Sequence, residues 1–167
     1  MKKLKSLTLR VIMALLILFS VSCSLTMDQI NNWDHVNLNK IPFTITDVYG
    51  LENYIYGNIP NGIVYNTEKN EIQDRSYVWF NQGIQLPEET IEKGSGICTD
   101  QAVLFLALYR KLFHDKGQLV IATMESGKTH SYPRVNGNDY AKEKVKSIIE
   151  IIDYDQIGWL ISEYHYY

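Results

Sequence analysis

Two residues of this chain have the type and setting for covalent chemistry. Cys98 stands in GSGICTDQAVLFLALYRKLF, residues 94–113, where glycines, a cysteine and an acid lead into an apolar run long enough for a buried helix. A thiol attacks as its thiolate, and the unpaired N–H groups and macrodipole of a helix N-terminus favour that anion. Such a nucleophile needs a base, and His130, in THSYPRV, is the histidine carried by a strand-like segment after the helix. His35 lies in an Asn-rich stretch, His114 at the polar end of the helix and His165 almost at the C-terminus. The plainer explanations are a small buried cysteine that fills space and a strand histidine bonded to its neighbours. No pair at metal spacing such as CxxC or HExxH occurs, so neither metal nor cofactor is expected.

The elements that must position this pair can be read in outline. Thr46 and Asp47 offer capping side chains before VYGLENYIYGNI, a short helix interrupted by Gly50 and ended near Gly57 to Pro60. NTEKNEIQDRS reads as a loop. LPEETIEK reads as a helix opened by Pro87 and two glutamates and ended by Gly94. Cys98 to Phe113 has no polar face between Ala102 and Leu108, which predicts a core helix covered on nearly all sides, with Gly117 as its stop. QLVIATM and THSYPRV predict strands, NGND a turn between Val135 and Tyr140, SIIEII a third strand, and DYDQIGWLISEYHYY a closing helix. Helices first and strands second give an α+β domain with the core helix on an antiparallel sheet.

The first residues read as an export signal. Lys2, Lys3, Lys5 and Arg10 precede VIMALLILF and then small residues, a run well short of the roughly 20 apolar residues that a membrane span needs. Cys23 follows directly, and the pattern resembles a bacterial lipoprotein signal, although Ser20 stands where such signals usually carry Leu. The expected organisation is a signal peptide over 1–22, a lipid-anchored flexible tether over 23–40 and a domain over 41–167, held to the extracytoplasmic side of the cell envelope. Without the signal the chain keeps 12 basic and 19 acidic residues, a net charge of −7. An acidic surface without a lysine or arginine block excludes nucleic acid as a partner. With Cys23 committed to the membrane anchor, Cys98 is left alone, since the chain has two cysteines.

The stretch from Trp79 through LPEETIEKGSGICTDQAVLFLALYRKLF resembles the bacterial transglutaminase-like superfamily, which is related to papain-type thiol hydrolases. Gly96, Cys98, Asp100 and Ala102 match its Gly-x-Cys-x-Asp-x-Ala motif, and His130 in THSYPRV matches its second motif in place and order. The resemblance implies a papain/transglutaminase-like core, with Cys98 as nucleophile and His130 as base. The oxyanion would be held by the Cys98 amide and a second donor, Trp79 or Gln82. Asp100 is expected to support the helix start.

The family's third member, usually an Asp on the strand after the histidine, holds the imidazole in its working tautomer. Ala141 stands at that place here. If the turn pairs Val135 with Tyr140, Glu143 falls on the His130 face, two residues from the opposite position, within reach of its longer side chain. Asp139 sits at the turn nearer Arg134, and Asp153 would need the third strand to line up, so the order of preference is Glu143, Asp139, Asp153. The expected function is a lipid-anchored thiol enzyme that attacks an amide in a peptide or protein through a Cys thioester, as hydrolase or acyl transferase. The competing expectation, favoured by Ala141, is a non-catalytic surface lipoprotein that binds a peptide or glycan.

Overall fold

The apolar run in the middle of the sequence becomes a helix that water does not reach. A computed structural model describes residues 27–41, 44–57, 59–69, 83–140 and 143–164. The helices that frame the site are α1 (Met27–Asn31), α2 (Val48–Tyr56), α3 (Pro87–Lys93), α4 (Cys98–Phe113) and α5 (Ile157–Tyr164). Every residue of α4 from Cys98 to Tyr109 is buried. Burying a large apolar side chain is worth about 1.5–3 kcal/mol, so α4 is the axis on which the other elements assemble.

The sheet beside α4 is antiparallel, with strands β3 (Gln118–Met124), β4 (Thr129–Val135), β5 (Asn138–Asp139) and β6 (Val145–Asp153) in the order β5-β4-β3-β6. Period-2 alternation sorts its side chains. Leu119, Ile121, Val135 and Ile152 join the α4 core, while Val120, Ala122, Met124 and Tyr132 form a second cluster. Strands β3 and β4 pair Gln118 with Arg134 and Ala122 with His130. The third strand that SIIEII predicts is β6, on the far edge of β3. A separate two-stranded parallel pair joins β1 (Val64–Tyr65) to β2 (Ser95–Gly96), the latter just before α4; two residues per strand are too few to show a period in the sequence.

The α+β class and the helix on an antiparallel sheet are as expected, and α3 begins at Pro87 and ends at Gly94, left-handed at φ 63. Four local readings are corrected. Gly50 does not interrupt α2: its amide donates to the capping carboxylate of Asp47 at 2.7 Å, inside the first turn, where glycine costs little. Helix α4 ends at His114, left-handed at φ 57, before the chain reaches Gly117. Gly117 is instead a point of close passage, where an added Cβ would sit 2.5 Å from Val135 and 2.6 Å from Leu106. The NGND turn pairs Val135 with Asn138, not with Tyr140, because Asn136 (φ 48) and Gly137 (φ 75) make a two-residue turn.

The fourth correction concerns the tether expected over 23–40. Ile30, Trp33 and Val36 are buried in the main core, and α1 packs against α5. Lys40 fastens the same segment to α3, reaching Glu88 at 2.6 Å and Glu92 at 2.7 Å. From residue 27 onward the described chain therefore belongs to the domain; three apolar side chains among the asparagines are enough to dock it. Residues 1–26, with the signal segment and Cys23, lie outside the described residues.

Candidate active site

The start of α4 is set by one carboxylate. Asp100, wholly out of water, accepts the amides of Ile97 at 3.0 Å and Gln85 at 2.9 Å and pairs with the Lys69 ammonium at 2.8 Å. The bond to Ile97 is the reach of a third-position acid back to the residue before its helix. The others come from segments that are 15 and 31 residues away. Lys69 is itself placed by β1 and β2: Asn66 donates its amide to the Gly96 carbonyl at 3.0 Å, and its side chain accepts the Lys69 amide at 2.9 Å. Gly96 is needed beneath the returning acid, since an added Cβ would stand 2.7 Å from that of Asp100. The Gly-x-Cys-x-Asp spacing is therefore first a packing device, and Asp100 is the expected support residue.

Cys98 is the first residue of α4, 8 % exposed, beside Thr99 and against β4. The Thr99 hydroxyl donates to the Ser131 hydroxyl at 3.0 Å, which locks the helix start to the strand. Burial pushes the Cys98 thiol up from its ordinary value, and the Asp100 carboxylate adds to this; hydrogen bonds from the Ser131 amide and from Thr99 favour the anion without outweighing burial. The net direction is thus opposite to the one that a helix N-terminus alone favours. The Ser131 amide turned toward the sulfur also locates Cys98 along the strand, one residue from His130.

His130 is half-buried, opposite Ala122, with its ring near that of Tyr132 at a centroid separation of 6.5 Å. Tyr56, at the end of α2, is near enough to Cys98 to feel its charge. Its ring stacks near Phe105 at 6.3 Å, and the Gln101 amide holds the neighbouring Ile55 carbonyl at 3.2 Å. Burial pushes the Tyr56 phenol well up, and the charges of Cys98 and Glu52 push it further.

The three acids proposed to orient His130 are placed differently from one another. Glu143 is exposed, and its carboxylate accepts the Ser126 hydroxyl at 2.7 Å in the β3–β4 turn; the register that recommended it, Val135 with Tyr140, is not formed. Asp139 is taken by Arg134, at 2.5 and 3.0 Å, as its position at the turn suggested. Asp153 pairs with Gln118 at 2.8 Å, four residues along β3 from the partner of His130, about 13 Å away at roughly 3.3 Å per residue. That excludes it. Ala141, Trp79 and Gln82 lie outside the described residues. Among the described residues no group of three His, Cys, Asp or Glu side chains could hold a metal ion.

Lys69, Gln85 and Ser131 were missed for a common reason: each acts through a contact distant in sequence. Asp100 at the third helical position was the one local sign that something had to be held there.

Residues 52–157 match the transglutaminase-like domain family. No curated protein and no solved structure matches the chain.

Replacing Asp100 by Asn should cost about 3–5 kcal/mol, the usual penalty for stranding one member of a buried pair, measured by urea unfolding. Adding Lys69→Met should return part of that loss, because the stranded ammonium goes with it.

A second expectation concerns alkaline pH. The Cys98 thiol and the phenols of Tyr54, Tyr56 and Tyr154 are all raised above their ordinary values of 9.0 and 10.0, chiefly by burial. The folded chain keeps protons that the unfolded chain releases, so their contribution is complete below the ordinary values and is lost as pH rises through the folded ones. The urea midpoint should hold from pH 7 to about 8.5 and fall above it, with a shallower fall in Tyr56→Phe.

Proposed function

Because this chain belongs to the transglutaminase-like domain family, we propose that it is a thiol enzyme that cleaves or transfers amides of peptides or proteins. Cys98 is the nucleophile: its sulfur bonds to the amide carbon while His130 takes the thiol proton. His130 then returns that proton to the leaving amine, the C–N bond breaks, and a thioester remains. Water resolves it to an acid, or a second amine to a new amide, and the thiol is restored in either case. The backbone amides at the helix start are suited to the oxyanion of each step. The observation that supports this reading is the Ser131 amide directed at the Cys98 sulfur, which sets the thiol against the strand residue next to His130.

Glu143 is the weaker third member of this proposal. Its carboxylate is exposed and shared with Ser126, so it would orient His130 less firmly than a buried acid does. The same feature, with the raised thiol, favours the second reading: a surface lipoprotein that has kept the fold to bind a peptide or glycan.

The full chain should release fluorescein from labelled casein or incorporate dansylcadaverine into it. Cys98→Ala should abolish that activity, His130→Ala should lower it by about 10²–10⁴-fold, and Glu143→Gln by about tenfold or less, since orientation is one term among several. Activity no higher than that of Cys98→Ala, together with iodoacetamide labelling no faster than that of a model thiol, leaves the binding protein as the better account.

The anchor is part of the proposal. The signal-like segment ahead of Cys23 supports lipidation there and residence on the outer side of a membrane. Cells fed radiolabelled palmitate should label the protein, and Cys23→Ser should remove the label; retention of label in that variant overturns the assignment.

A further inference from the structure

The end of α4 remote from Cys98 borders a cavity at Arg110, twelve residues and about 18 Å along the helix axis from the thiol. Its volume is about 270 Å³. Small-molecule sites usually span roughly 300–1,000 Å³, so this one suits a single ring rather than an extended chain. It is built where α1, α5 and the end of α4 meet.

The lining selects among ligand classes. Trp33 and Tyr154 back the cavity, their ring centroids 4.8 Å apart, and Trp159 stands at its wall 60 % exposed. Two acids and two bases are present, Asp34 and Asp155 with Arg110 and Lys116. They balance in charge. Lys116 is held by both oxygens of Asp155, at 2.6 and 2.9 Å, and lies over the Tyr154 ring at 5.8 Å. The Tyr154 hydroxyl donates to one oxygen of Asp34, and Arg110 donates one N–H to the His114 carbonyl at 2.8 Å. Among the described residues the second oxygen of Asp34 and the remaining N–H groups of Arg110 have no further partner, so an acceptor and several donors stay open in one small space.

An anion here would meet Asp34 and Asp155, and a cation would meet Arg110 and Lys116. An apolar ligand would strip water from those groups and give nothing back. A neutral polyhydroxylated ring avoids each penalty: every hydroxyl both donates and accepts, and one ring face can lie on an aromatic side chain. We propose that this cavity is a monosaccharide-binding site, independent of the Cys98 chemistry, in which Trp159 packs on the sugar ring and Asp34 and Arg110 bind its hydroxyls.

Two of the chain's three tryptophans line the cavity, so tryptophan emission reports directly on it. The full chain is titrated with glucose, galactose and N-acetylglucosamine, and in parallel with inorganic phosphate and free arginine. A saturable change with at least one sugar is expected, at millimolar dissociation constants, weakened at least tenfold in Trp159→Ala and in Asp34→Asn and unchanged in Cys98→Ala. The exposure of Trp159 makes its variant safe for folding, which far-ultraviolet circular dichroism checks. No response to any of the three sugars overturns the proposal. So does tighter binding of phosphate or arginine, sugar binding that Trp159→Ala leaves intact, or sugar binding that Cys98→Ala removes.

Discussion

One carboxylate without access to water organises the front of this molecule. A buried charge must be paired and hydrogen-bonded or its desolvation is prohibitive, and Asp100 meets that demand with donors from residues 69, 85 and 97. The chain before α3, the turn before α4 and the segment after β1 are thereby drawn to a single point. Cys98 lies between two of the fixed residues, Ile97 and Asp100, so its position follows from theirs. Gly96 lacks a side chain because the acid folds back over it.

Stability and position come from different sources in this arrangement. The apolar stretch of α4 supplies the driving force, with Ala102 through Leu108 fully buried against the sheet on one side and helices on the others. That force is non-directional and would tolerate a helix slid or rotated by a fraction of a turn. The Asp100 bonds and the Thr99–Ser131 hydroxyl pair do not tolerate it, since hydrogen bonds weaken steeply away from their preferred geometry. These contacts fix the Cys98 end of the helix in rotation and in height.

What could be read from the sequence follows the range of each interaction. Strands β3 and β4, the extent of α4 and the start of α3 came from local signals: alternation, an unbroken apolar run, and a proline followed by acids. The pair β1 and β2 was invisible because two residues are too few to show a period. The docking of residues 27–41 rests on Ile30, Trp33 and Val36, three side chains submerged in polar sequence. The Asn136-Gly137 turn was legible but misapplied, so the register that recommended Glu143 is not the one formed. Lys69 carried no signal, because nothing local distinguishes a loop lysine that will enter a buried pair 31 residues away.

The buried thiol sets the terms on which this site can work. A helix N-terminus alone would lower the Cys98 proton affinity, yet burial and the neighbouring Asp100 carry it the other way. A thiol that keeps its proton at rest is protected, since alkylation and oxidation both proceed through the thiolate. Cys98 has no second cysteine among the described residues to pair with, so burial is what shields it. On the proposed reaction, the nucleophile would be made as the new bond forms rather than stored before it, by moving the proton to a base. Such a reaction would depend more on the placement of His130 than one with a preformed thiolate, and the Thr99–Ser131 bond fixes the start of α4 to the strand that carries His130.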